Sequence, residues 1–295
     1  MAKVAVECIA DLAMAVGEGA FWDQASGCLY WVDIPAGHVF RLDADGERTQ
    51  WEVGEPVGCL APRVGGGLVL ATKSGFWHFD PETGAKEPIV DPEPERPENR
   101  FNDGNTDRQG RFWAGTMAMT PGPVPTGSFY RLDAQFQCKT WRDGYFTTNG
   151  LAFSPDGRRM YLSDSNPKVQ TVFVADYDPD DGWPGEPRLF FDCRSIAGRP
   201  DGATVDADGC YWLAGVDGWQ VYRFTPDGRL DRTIDVPVEK PSKPIFGGPN
   251  LDVLYLTSIG TGLTPGSEAR QPQAGGLFAI TGLGTTGLPD TLFQG

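Results

Sequence analysis

The chain has 295 residues, with 25 Lys and Arg against 40 Asp and Glu, a formal net charge of −15; so acidic a molecule repels nucleic-acid phosphates and anionic membranes. Its 39 Gly and 25 Pro, more than a fifth of the residues, exclude long helices, while 40% apolar and 12% aromatic content excludes wholesale disorder. The only two histidines, His38 and His78, exclude a three-His zinc site and an H-x-x-x-H metalloprotease helix, leaving carboxylates, amides, hydroxyls or an oxygen-bound metal for any hydrolysis.

The amino-terminal MAKVAVECIADLA carries no apolar signal core, and no run approaches the roughly 18 apolar residues of a membrane span. The expected compartment is therefore the cytoplasm. Residues 4–7 read as a first strand. A phrase then recurs along the chain, a Gly-centred turn followed by a short aromatic run. In order it reads DQASGCLYWVDI from Asp23, a weaker PRVGGGLVLATK from Pro62, and DRQGRFWAGTM from Asp107. It returns as SPDGRRMYLSD from Ser154, DADGCYWLAGV from Asp206 and a worn PNLDVLYLTS from Pro249. Aligned on Gly27, Gly67, Gly110, Gly157, Gly209 and Asp252, the copies lie 40 to 52 residues apart.

Several copies continue into a second strand and turn, such as VFRLDADG, FWHFDPETG and VYRFTPDG. Asp-Gly turns between apolar runs are hairpin signals, because Gly accepts φ > 0. Six units of about four short strands predict an all-β, six-bladed β-propeller that uses residues 1–295 as one domain, rather than a β-sandwich with repetitive turns. Closing the ring requires residues 4–7 to pair beside residues 276–280. Cys8, Cys28, Cys59, Cys138, Cys193 and Cys210 show no C-x-x-C pair and read as free, buried thiols.

The innermost strand of each blade lines the propeller channel. Eight residues before Gly110, Gly157 and Gly209 stand Asn102, Asn149 and Asp201, and nine before Gly27 stands Glu18. The same count gives Cys59 and Pro244 in the other two blades. Two carboxylates and two amides converging with no basic partner in view are costly unless a cation sits between them. Oxygen-only ligands suit a hard divalent ion, Ca²⁺ first, with Mn²⁺, Mg²⁺, Fe²⁺ and Zn²⁺ as alternatives. Asp103 reads as a turn residue holding Asn102 rather than a group behind the metal, Asp164 as a residue away from the metal face rather than one approaching it, and the recurring Trp and Phe as filler between blades.

GEGAFW, RFNDG with GRFWAGTM, TNGLAFSPDG, RPDGATVDADGCYW, FGGPN and RQPQAGGLFAITGLG occur in order over essentially the whole chain. In these motifs the chain resembles the gluconolactonase/regucalcin (senescence marker protein) family of six-bladed propellers. The resemblance implies a divalent metal held by Glu18, Asn149 and Asp201; of these, Asp201 is the expected catalytic carboxylate on chemical grounds. It implies substrate contacts from Arg100 and Asn102. Thr120 stands where animal members carry a substrate-binding Glu, so the family's sugar preference does not transfer directly.

The implied reaction is metal-dependent hydrolysis of a sugar lactone, a cyclic ester, to its sugar acid. Asp201 either offers its second oxygen as general base or only orients a water that the ion activates. A small-molecule lactone is the expected partner, with no nucleic acid, membrane or obligate protein partner. The rival readings are a phosphotriesterase propeller and a calcium-binding scaffold without turnover.

Overall fold

In the computed structural model, which describes residues 3–295, each copy of the repeat becomes one antiparallel sheet; Met1 and Ala2, part of the expected 1–295 domain, lie outside the described residues. Strand β1 (Ala5–Ala10) is held in reserve for the last sheet. The first contains β2 (Gly17–Asp23), β3 (Cys28–Asp33), β4 (His38–Leu42) and β5 (Arg48–Glu52). The second contains β6 (Val57–Pro62), β7 (Leu68–Thr72), β8 (Gly75–Phe79) and β9 (Lys86–Val90). The third contains β10 (Asn99–Thr106), β11 (Phe112–Ala118), β12 (Gly127–Leu132) and β13 (Cys138–Tyr145). The fourth joins β14 (Thr148–Phe153), β15 (Arg159–Asp164) and β16 (Thr171–Asp178), with β17 (Trp183–Pro184) and β18 (Arg188–Asp192) both on β16. The fifth is β19 (Arg199–Val205), β20 (Tyr211–Val216), β21 (Gln220–Phe224) and β22 (Leu230–Asp235). The sixth is β23 (Pro241–Gly247), β24 (Val253–Ser258), β25 (Leu277–Thr281) and then β1, paired Val6↔Ile280. The fold is therefore an all-β six-bladed propeller closed by the amino-terminal strand, which starts one residue later and runs three further than the sequence pattern gives.

The inner strands β2, β6, β10, β14, β19 and β23 contact one another around a ring. β2, β6, β14 and β23 are buried at every position, as strands covered on both faces must be, whereas outermost β5 alternates exposed and half-buried residues. Trp113 and Trp212, each three residues after the turn Gly, are fully buried against the following blade, and Trp31, on the opposite face of its strand, is fully buried against the preceding one. The recurring turn aspartates are structural too. Asp107 Oδ1 accepts from the backbone N–H of Gln109 and Arg111, both at 2.9 Å, and the Asp206 carboxylate does the same for Asp208 and Cys210. Arg111 and Arg223 neutralise these two buried carboxylates at 2.9 and 2.8 Å. All six cysteines are free; Cys28, Cys59, Cys193 and Cys210 are buried, while Cys8 and Cys138 are half-buried.

The inner strands all run in one direction, so their starts share one face of the propeller and their ends the other. Residues 283–295 cross the end face. Gly287 donates to Leu251 O, Ala207 to Thr286 O, Phe293 to Pro62 O and Gln294 to Gly110 O, at 2.7 to 3.0 Å. The channel is thus covered at that end, and access falls to the face where the inner strands begin. On that face lies the long β24–β25 connection, anchored by Glu239. Burial raises its pKa, but bonds from Thr264 N–H and Oγ1, Gln271 Nε2 and Ser267 Oγ outweigh burial and hold the pKa at about 2. Because the folded value is depressed, Glu239 contributes stability above the usual carboxylate range that is lost as pH falls towards 2. The expected result is that Glu239→Gln lowers Tm clearly at pH 6 and by progressively less down to pH 3, measured by thermal denaturation beside the wild type.

Candidate functional site

Every inner strand is interrupted by a bulge at the same level. The pairing slips between Glu18 and Phe21, Val57 and Cys59, Phe101 and Gly104, Asn149 and Ala152, Pro200 and Ala203, and Pro241 and Pro244. A bulge adds a residue to one strand and re-aims the side chains beside it. Here that turns Glu18, Asn102, Asn149 and Asp201 together in the channel. The following glycines permit it: Gly19 and Gly150 sit at φ of 60° and 66°, and a Cβ on Gly150 would come within 2.6 Å of Ser163 Oγ and Tyr211 OH.

Glu18, Asn149, Asp201 and Asn102 are all buried, between 3% and 8% exposed. Asn102 Nδ2 donates to Asn149 Oδ1 at 3.2 Å and to Thr148 O at 2.8 Å, while Asn102 Oδ1 accepts from Arg100 at 2.7 Å. Arg100 also donates to Phe101 O and makes no ion pair with the acidic 91–98 stretch; Glu93 there lies instead 3.6 Å from Arg96. Burial pulls the Arg100 guanidinium down to about 10, against the opposing pull of Glu18, Cys59 and Asp201. Burial raises the Asp201 carboxyl well above its usual range, with Glu18 adding to the shift and Arg199 opposing it. Burial and then Asp103 likewise raise Glu18, against Lys243, the Gly19 N–H and Arg100.

Glu18 Oε2 accepts from Gly19 N–H at 2.9 Å, but its buried Oε1 has no hydrogen-bond partner. An orphaned carboxylate oxygen among further oxygen donors fits a hard divalent cation. Among the described residues no three His, Cys, Asp or Glu side chains are gathered as a ligand set. The candidate set accordingly depends on the Asn149 amide oxygen as its third protein donor.

Three expectations need correction, and the reading of Asp164 stands. The channel does contain a basic partner: Lys243 Nζ lies 2.7 Å from Asp103, with both side chains no more than 1% exposed. Asp103 is therefore an ion-pair partner, and it also accepts from Leu151 N–H at 2.8 Å, rather than a turn residue alone. In the sixth blade the bulge holds Ser242 and Lys243, so the count that lands on Pro244 is off by one or two residues. Asp164 does not reach towards a metal; its carboxylate accepts from the N–H groups of Phe146, Thr147 and Asn166. Thr120 is exposed, beyond the end of β11. His38 and His78 lie on third strands away from the bulges, the His78 ring against Phe136 at 4.8 Å between centroids.

A cavity of about 570 Å³ opens on the access face, lined by Met117, Phe146, Thr147, Asn166, Arg199 and Asp217 among others. Arg199 is doubly bonded to Asp217, and Lys240 meets Asp217 at 3.2 Å. Arg199 and Asp217 are thus the charged groups of this lining, and they neutralise each other.

The family model described as SMP-30/Gluconolactonase/LRE-like region matches residues 16–260. A 6-deoxy-6-sulfogluconolactonase from Pseudomonas putida is 36% identical over 98% of this chain and 99% of its own. A regucalcin from Xenopus laevis is 34% identical over the full length of both chains. The solved structure of a calcium-binding regucalcin from Agrobacterium tumefaciens superposes with a TM-score of 0.92 at 28% identity, covering 98% of this chain and 97% of that one.

Proposed function

The chain belongs to the SMP-30/gluconolactonase/LRE-like family, and from that membership and the site's geometry we propose that it is a metal-dependent lactonase, one propeller domain over residues 1–295, hydrolysing a sugar lactone to its sugar acid. The observation that carries this reading is the burial of Glu18, Asn149 and Asp201 at the inner-strand bulges, with Glu18 Oε1 unpartnered and Arg100 bonded to Asn102. Glu18, Asn149 and Asp201 would hold the cation, Ca²⁺ before other divalent ions. When bound, that ion supplies Lewis-acid polarisation of the lactone carbonyl.

The remaining work falls to the chain's own groups. Asp201 takes a proton from the attacking water as the new C–O bond forms, through the carboxylate oxygen left free of the cation. The ring C–O bond then breaks, Asp201 returns its proton to the departing oxygen to give the open-chain hydroxyl, and the new carboxylic acid loses its own proton to solvent. Asn102 spends both N–H groups on Thr148 O and Asn149 Oδ1, so towards a sugar hydroxyl it offers the remaining lone pair of Oδ1, held in place by Arg100. The Arg100 guanidinium favours the carboxylate that develops in the product. The relative named a 6-deoxy-6-sulfogluconolactonase makes the 6-sulfonated lactone the first compound to try.

The test is a panel of five- and six-carbon lactones, including the 6-sulfonated one, and a phosphotriester, each assayed before and after metal stripping. Saturable hydrolysis of at least one lactone, lost on chelation and restored by a divalent ion, is expected. Turnover of the phosphotriester alone overturns the substrate reading. Full lactone turnover by protein proved metal-free by elemental analysis overturns the metal dependence.

A further inference from the structure

We propose that Ser165 is a positioning residue that fixes which atom of the Asn149 amide faces the channel, an inference that rests on the cation reading above. A side-chain amide is a ligand through only one of its two ends, because the nitrogen has no lone pair to give a cation. A directed row of hydrogen bonds makes the choice. It begins at Arg100, which can only donate, to Asn102 Oδ1 at 2.7 Å. It continues from Asn102 Nδ2 to Asn149 Oδ1 at 3.2 Å, and from Asn149 Nδ2 to Ser165 Oγ at 2.7 Å. It ends where Ser165 Oγ donates to the carbonyl of Pro200, which can only accept.

The two ends make the direction irreversible. Ser165 has a single hydroxyl hydrogen, and Pro200 O takes it, so towards Asn149 the hydroxyl can only accept. Asn149 must then point its nitrogen at Ser165 and its oxygen towards Asn102 and the channel. Ser165 is 2% exposed and Asn149 3%, so water does not replace the bond. The row also crosses three blades, since Asn102, Asn149 with Ser165, and Pro200 lie on the third, fourth and fifth. Pro200 immediately precedes Asp201, so one hydroxyl ties the Asn149 amide to the backbone carrying the Asp201 carboxylate. Arg199 braces the arrangement from outside, donating to Ser165 O at 3.1 Å while bound to Asp217.

Groups that orient metal ligands typically matter about 10- to 100-fold in affinity. Calorimetric titration of the full chain with Ca²⁺ and with Mn²⁺ is expected to show Ser165→Ala weakening binding by about that factor. Ser165→Thr, which keeps the hydroxyl, should stay within about threefold of wild type. In an Asn149→Asp background the same Ser165→Ala change should cost less than about threefold, because both carboxylate oxygens can ligate and orientation no longer matters. Equal losses in both backgrounds would show general damage and overturn the proposal. So would an unchanged affinity in Ser165→Ala when the wild type binds tightly. A wild type that binds no divalent ion, or binds one regardless of Glu18→Gln, overturns the cation reading itself and this inference with it.

Discussion

Asp201→Asn is expected to lower kcat on the best lactone by at least about 10²-fold, since it keeps an oxygen in place but removes the charge and the base. The same change should not destabilise the metal-free protein. Asp201 is buried at 6% exposure near Glu18, and burial followed by that neighbour raises its carboxyl. A group with a raised folded value contributes stability below its unfolded value and loses it as pH rises through the folded one. In chelator, the wild-type Tm should therefore fall as pH rises through that range, and the Asp201→Asn variant should fall less. The measurements are kcat corrected for spontaneous hydrolysis and Tm against pH in excess EDTA. Near-normal turnover by the variant would remove Asp201 from the reaction.

Lys243→Met is expected to produce the largest loss of stability among single changes around the channel. Lys243 and Asp103 form an ion pair at 2.7 Å with side chains 1% and 0% exposed. Burial works against the Lys243 charge, but Asp103 and then Glu18 outweigh it and leave the ammonium favoured. Removing one partner of a buried pair leaves the other uncompensated and costs about 3–5 kcal/mol. For a chain of this size that corresponds to a Tm lower by roughly 6–15 °C. The combined Asp103→Asn and Lys243→Met change should recover much of the loss, because Asn still accepts from Leu151 N–H and no bare charge remains. Thermal denaturation of the three proteins in EDTA reads this directly. A single variant as stable as wild type would show that the pair contributes nothing net.

Turn chemistry and apolar periodicity are local, which is why the blade count was legible from the amino acids alone. The Asp-x-x-Gly turns, the aromatic second strands and the need to close a ring gave six sheets and the pairing of Val6 with Ile280. The site was half legible by the same route. Glu18, Asn102, Asn149 and Asp201 could be found because each stands a nearly constant distance before a turn, and the Asp23–Gly27 turn, one residue longer than Asp107–Gly110, Ser154–Gly157 and Asp206–Gly209, explains the one-residue irregularity at Glu18. In the sixth blade the turn has lost its Gly, so the count missed Lys243. What faces Asp103 is 140 residues away in sequence, and only ring closure brings the two together. Ser165 gave no signal at all, because its role depends on a neighbouring blade offering a carbonyl at Pro200. The sequence by itself determined which elements form and which side chains each inner strand offers. The tertiary structure alone decided which groups meet across the channel, because that depends on the bulges and on ring closure between blades.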